Sequence, residues 1–252
     1  MNSTDGEAAR WQFELIDLTR PLTEESVALM FGDLSGEEYS SIPVEYLADW
    51  STANGVVARF SLFDHAGTHM DAPIHTVEDA PALEDVDITR LIGEAVVLDL
   101  RRGDVDYLYT ATDFEEAEPE IEPGDIVLMY SDFVPAPTPT DRIKQTALSE
   151  EAARWLVERG VVAVGCEPPG IEHLATGYFE KEWYSKDSPH QPSWPVHRTL
   201  LGNDVYIIEG LTNLDRIAGK RVRFAALPLN LPGLSGCPVR AVAWLDRSTN
   251  RS

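Results

Sequence analysis

The sequence predicts a strand-rich α/β domain, and three observations carry that prediction: eight short apolar, β-branched runs, only two segments with helical pattern, and no repeat of fixed period. The runs are 13–18, 55–63, 95–100, 125–130, 161–166, 205–210, 221–229 and 239–245, each bounded by Gly, Pro, Asp or Asn. A continuous apolar run between such turn formers is what a strand buried on both faces requires. The clearer helix is 149–160, with Ser149 as N-cap, Glu150 and Glu151 in the first turn, Ala152, Leu156 and Arg159 at helical spacing, and Gly160 as the stop. A second, shorter helix is expected to start at Thr112, in a capping box with Glu115. The helix at 149–160 runs directly into the strand at 161–166, an α-to-β unit.

With 252 residues and 43% apolar content, the chain can bury one core, and a single domain over 1–252 is expected. Residues 171–196 are aromatic, charged and Pro-rich without any period, which predicts a packed lid.

Composition excludes several functions. The 43 acidic side chains against 20 basic ones leave a net charge of -23, a surface that repels nucleic acid and anionic membranes. No apolar run approaches the roughly 20 residues of a membrane span, and the N-terminus lacks a basic region followed by an apolar one. Cys166 and Cys237 are expected to be reduced thiols, Cys166 buried and inert, and a cytoplasmic location follows. Lys144, Lys181, Lys186 and Lys220 are the only lysines, so arginine dominates the basic side chains. Excess acid with few lysines resembles proteins of salt-accumulating microbes, in which molar salt screens self-repulsion over about 3 Å.

Chemistry concentrates in residues 63–75, FDHAGTHMDAPIH, which hold three of the six histidines. In a straight strand His65, His69, Asp71 and His75 would share a face. At about 3.3 Å per residue, however, His65 and His69 would lie roughly 13 Å apart. One ion with bonds near 2.1 Å cannot bridge that gap. A helix is opposed by Pro73 and weakened by Gly67. A turn at Gly67 and Thr68 remains, folding His65 back toward His69 and Asp71, with the Thr68 hydroxyl placed to orient the turn or a ligand. A His, His, carboxylate set suits Zn, Mn or Fe and leaves positions open for water, as a catalytic site requires. His75, beyond the proline, is a natural proton carrier.

The pattern His-x-Gly-Thr-His-x-Asp-x-Pro-x-His resembles the signature of the metal-dependent cyclase-like hydrolases, which include bacterial-type kynurenine formamidases and isatin hydrolases. The likeness extends through residues 16–22, 122–132, the helix and strand ending at CEPPGIE (166–172), and 227–243. Residues 197–217 resemble the family's second metal motif, a His and a Glu twelve positions later, here His197 and Glu209. The resemblance implies a swivelling β/β/α domain with two divalent ions per chain, Zn or Mn. His65, His69 and Asp71 would hold one ion, Asp71 bridging to a second on His197 and Glu209, with His75 as general acid/base. Gly67, Thr68, Phe31 and Glu167 would lie around the ions or the substrate. The substrate would be a small molecule and the assembly a homodimer or homotetramer.

The implied reaction is hydrolysis of an amide bond, N-formylkynurenine to kynurenine and formate. The alternatives are ring opening of a cyclic amide or lactone, and a noncatalytic metal-binding protein. Two regions depart from the family pattern. Met30-Phe31-Gly32-Asp33 replaces aromatic-Pro-Gly-Asp, and CEPPGIE stands where Asp-x-Pro-Ser-Ile-Asp is usual, keeping a carboxylate at Glu167 and losing a hydroxyl at Gly170. His173 and His190 read as surface or lid residues.

Overall fold

In the computed structural model, residues 13–23, 42–103, 107–134, 146–172 and 194–246 are described. Phe31, the rest of 30–33, His173 and His190 lie outside them. The strands are β1 (Phe13–Asp17), β2 (Val44–Ala48), β3 (Val57–Phe60), β4 (His69–Asp71), β5 (Ile92–Asp99), β6 (Leu108–Tyr109), β7 (Ile126–Tyr130), β8 (Ala147–Leu148), β9 (Ala163–Cys166), β10 (Tyr206–Glu209), β11 (Lys220–Leu227), β12 (Gly236–Pro238) and β13 (Arg240–Asp246). The α-helices are α1 (Trp50–Ala53), α2 (Ala111–Glu115), α3 (Glu150–Arg159) and α4 (Pro195–Leu201). Each of the eight expected runs contains a strand, and the mixed, strand-rich α/β class is confirmed.

Nine strands form one sheet in the order β1-β13-β11-β5-β7-β9-β10-β4-β12. β5, β7, β9 and β10 run parallel, and the pairings outside that block are antiparallel. β12, at one edge, leads through Val239 into β13 near the other, so the sheet curls upon itself. The apolar runs of the parallel strands divide with a period of two. Ala95 and Val97 of β5 and Ile126 and Leu128 of β7 face the core inside the curl with Met70 and Phe224. Val96, Leu98, Val127 and Met129 face a second core shared with Leu156 of α3 and Leu200 of α4. Burial on both faces is why these strands read as unbroken apolar runs.

α3 has the predicted ends: Ser149 Oγ accepts from the Ala152 amide at 3.0 Å, and Gly160 turns left-handed at φ 76°. The expected box at Thr112 and Glu115 is corrected. Thr110 caps α2, with its amide and hydroxyl donating to Asp113 at 2.7 and 2.9 Å. Asp113 also accepts from Tyr107 and pairs with Arg102, while Glu115 is spent on the Trp155 indole at 2.9 Å. Of the segment expected to form a packed lid, Ile171 and Glu172 are buried and Pro195 and Val196 open α4; 173–193 lie outside the described residues. Cys166 and Cys237 are buried free thiols, as expected. No described helix is long and apolar enough to cross a membrane.

Apart from this body, β2 and β3 form a two-stranded sheet with Tyr46, Trp50 and Phe60 exposed. The site is set by the parallel block, whose strands all end at one edge. There Ser131, Glu167 and Gly210 follow β7, β9 and β10, the edge where α/β sheets bind ligands.

Candidate metal centre

β4 lies between β10 and β12, with His69 opposite Glu209 and Asp71 opposite Ile207. Strand alternation sends Met70 into the inner core and His69, Asp71 and Glu209 to the other face, toward α4. α4 brings His197 to the same place. His69 Nε2 is 3.3 Å from Asp71 Oδ1 and 3.5 Å from Glu209 Oε2, and His197 Nε2 is 3.6 Å from Asp71 Oδ2 and 3.4 Å from Glu209 Oε1. The four side chains close a ring in which each carboxylate offers one oxygen to each histidine.

Two glycines make this approach possible. Gly67 (φ 66°) forms the expected turn, and Gly210 (φ 71°) packs behind it, where an added Cβ would lie 2.5 Å from the Gly67 carbonyl oxygen. Thr68 Oγ1 ties the two by donating to the Gly210 carbonyl at 2.6 Å. Gly210→Ala therefore pushes the 67–68 turn away from β10. It should cost about 2 kcal/mol, lower the melting midpoint by roughly 4–8 °C and weaken cation binding, measurable by calorimetry.

The ring is buried: His69 and Asp71 are each 1% exposed, His197 3% and Glu209 4%. Buried carboxylates demand positive charge. Burial opposes ionisation of Asp71, but the His65, His69 and His75 rings outweigh it and hold its carboxyl well below the usual range. Burial likewise opposes protonation of His197, yet its bonds to Glu172 and Glu209 and the charge of Asp71 push its pKa up to about 10. His69 shifts upward as well, burial being outweighed by Asp71 and Glu209. At His197 the chain thus favours a proton where two carboxylates call for cations.

The donors fit a divalent cation by three observations. Asp71 Oδ2 is buried without a hydrogen-bond partner. The 3.3–3.6 Å separations match the edge of a tetrahedron with bonds near 2.1 Å, about 3.4 Å. Finally, Nδ1 of His69 meets the Gly67 carbonyl at 3.1 Å and Nδ1 of His197 bonds the Glu172 carboxylate, so both rings present Nε2.

His65 and His75 flank the ring. His65 Nδ1 is 2.8 Å from Asp71 Oδ1, and its Nε2 is 2.9 Å from Ser235 Oγ, which donates to Asp64 at 2.7 Å. His75 contributes no atom to the four pairs of the ring. It follows Pro73 in a short 3-10 turn and lays its ring 4.1 Å from that of His65 and 5.7 Å from that of His197. Burial, with the neighbouring histidines and against Asp71, pushes its pKa down to about 3, so it is a neutral imidazole. Two triads of donors close enough for an ion are His69, Asp71, Glu209 and His65, Asp71, His75. Glu209 therefore faces His69 as well as His197, and His75 approaches the donors of His65 and Asp71. Glu167 lies outside the ring, its Oε2 accepting from the Ser131 amide at 2.8 Å, the Ser131 hydroxyl at 3.1 Å and the Phe133 amide at 3.4 Å.

A family model described as "Putative cyclase" matches residues 16–173, more than half of the chain. The chain belongs to the cyclase family. This cyclase-family chain is 28% identical over 231 residues to a kynurenine formamidase of Bacillus mycoides, covering 90% of the chain and 95% of the relative. It is 26% identical over 216 residues to an isatin hydrolase of Roseibium aggregatum, covering 74% of each. Among solved structures, a potential metal-dependent hydrolase with cyclase activity aligns at TM-score 0.68 and 27% identity, covering 93% of this chain and 98% of that one. An isatin hydrolase bound to the product analogue thioisatinate shares the fold at TM-score 0.74 and 22% identity, with 93% of each chain covered.

Sequence reading of this cyclase-family chain missed Glu172. Its carboxylate accepts from the Val196 amide at 2.8 Å and the His197 amide at 3.3 Å, anchoring the start of α4, and holds His197 Nδ1. The two residues are 25 positions apart with no periodic link, and the one available signal was the acid closing CEPPGIE. Glu172→Ala should weaken cation affinity about 10- to 100-fold, read by metal titration, while Glu172→Gln restores part of it. Ser235 and Trp194 were missed too; Trp194 stands edge-on to His197 at 5.0 Å and 5.9 Å from His75.

Proposed function

We propose that the chain is a metal-dependent hydrolase of carbon–nitrogen bonds whose substrate is N-formylkynurenine, cleaved to kynurenine and formate, with two divalent ions, Zn or Mn, at the centre. The observation that carries the reading is the buried ring of two carboxylates and two histidines with neutral His75 against its flank. Two divalent ions held among His65, His69, Asp71, His197 and Glu209 would supply the positive charge that polarises a carbonyl and acidifies water. His75 accepts a proton from the attacking water and returns it to the departing nitrogen, which leaves as a neutral amine. Glu172 and the Gly67 carbonyl keep the Nε2 atoms of His197 and His69 turned inward through both steps. Trp194 walls the His75 side with apolar surface suited to an aryl group.

A second reading, ring opening of a cyclic amide, is supported by the likeness to the isatin hydrolase of Roseibium aggregatum. Purified protein supplied with Mn or Zn should release formate from N-formylkynurenine at a rate on the order of 1 per second or faster. Opening of isatin without formate release from the formamide would select the second reading. We further propose a homodimer or homotetramer in the cytoplasm.

A further inference from the structure

Arg20 belongs to the segment that leaves β1 and crosses the carboxyl edge of the parallel strands. Thr19 bridges to Leu211, the Arg20 amide donates to Thr68 Oγ1 at 2.9 Å, and the Leu22 side chain covers Gly67. The Arg20 backbone is thus one hydrogen bond from the residue preceding His69. Its guanidinium extends along the edge, with Nη2 3.4 Å from the Glu167 carbonyl oxygen and Cζ 5.8 Å from the centre of the Phe133 ring.

That guanidinium is under-used. Among the described residues its five N–H donors make one hydrogen bond, a long one, and Nε is buried without a partner. Glu167 lies in the same region, but its carboxylate is committed to Ser131 and Phe133 and, among the described residues, Arg20 has no ion pair. Burial weighs against the Arg20 charge, and Glu167 only offsets part of that. The Nη1–Nη2 end has no partner but the Glu167 carbonyl among the described residues, and its parallel N–H groups match the two oxygens of a carboxylate. Phe133 beneath the plane restricts its tilt.

Arg90 makes the contrast. Its Nε also lacks a partner, but its head donates to the Asp204 carbonyl at 2.5 Å and lies over Tyr206, at the amino end of β10. Ligands of α/β sheets bind at the carboxyl ends, where Arg20 is. β9 and β10 are hydrogen-bonded neighbours with Ile208 opposite Gly165, which puts Glu167 level with Gly210, the residue after Glu209, one strand spacing of about 5 Å along the edge. With the ions engaged at the reacting bond, a carboxylate elsewhere on the substrate needs a cation of its own.

We propose that Arg20 anchors a carboxylate of the substrate, which assigns the centre to open-chain aryl amides bearing a carboxylate rather than to neutral cyclic amides. The assignment rests on the amide-hydrolase reading above, and binding is used to test the two separately. Calorimetry on the metal-loaded protein compares kynurenine with 2-aminoacetophenone, which has the same arene and ketone but neither the carboxylate nor the α-ammonium group. Wild-type protein should bind kynurenine at least about tenfold tighter, and Arg20→Gln should abolish the preference while leaving metal content and melting midpoint unchanged. Arg20→Lys, charged but without the fork, should restore only part of it. With turnover, Arg20→Gln should raise KM for N-formylkynurenine about tenfold or more and leave the formamide of 2-aminoacetophenone unaffected. No preference in the wild type, or equal loss for both compounds in Arg20→Gln, would overturn the anchor. A preference without any turnover would uphold the anchor and sink the hydrolase reading.

Discussion

Asp71→Ala should empty the centre: the folded variant, purified with Mn or Zn, should carry well under one ion per chain, and turnover should fall by at least about 10³-fold. Among the described residues Asp71 is the one carboxylate that meets three histidines, with Oδ1 toward His65 and His69 and Oδ2 toward His197. Its removal leaves the two halves of the ring without a common oxygen, and it leaves His197 with Glu209 and Glu172 as its remaining carboxylates. The partnerless Oδ2 is also the atom whose burial makes least sense without a cation. Asp71→Asn keeps the volume and removes the charge, so it should bind an ion weakly and regain little activity. Elemental analysis beside a melting curve measures both. Retention of two ions per chain by folded Asp71→Ala would contradict the bridging role.

The second large effect separates chemistry from binding. His75→Ala should lower kcat about 10²- to 10⁴-fold while metal content stays near that of the wild type. His75 is placed by backbone, not by the ring: Pro73 starts its turn, and the His75 amide donates to the Ala72 carbonyl at 2.9 Å. Its loss leaves every carboxylate–histidine pair of the ring in place. A parallel loss of metal would instead make His75 a ligand, as its nearness to His65 and Asp71 allows. Unchanged kcat would remove it from the reaction.

Much of this molecule is legible in its sequence, for reasons that differ from element to element. The runs at 95–100 and 125–130 read as strands because alternate residues enter two different cores, leaving no polar position to blur the pattern. β4 has no such pattern: two of its three residues are chosen for the ring and only Met70 for packing. β12, Gly236–Pro238, is equally silent, since Gly236 is required where a Cβ would lie 2.6 Å from the His65 ring. α4 is two turns long and follows Trp194 in a left-handed conformation, so neither length nor a conventional cap announces it.

The site divides in the same way. His65, His69, Asp71 and His75 stand out because one turn carries them, and the turn at Gly67 follows from the chain dimensions that forbid a straight strand. Glu172 and Arg20 do not stand out. Each acts through contacts made across the fold, with His197 in one case and with Thr68 and the end of β9 in the other. The grouping of ligands was also beyond reach of spacing, since only the pairing of β4 with β10 puts Glu209 opposite His69.

The proposed role of the ring is to hold the ions that perform amide hydrolysis. Its most direct test is a titration of chelated, folded protein with Mn or Zn, following bound ion and formate release from N-formylkynurenine in the same samples. Activity should be absent from the stripped chain and rise in proportion to ions bound, ending when the ring is full. Undiminished formate release from protein holding less than about a tenth of an ion per chain would contradict it.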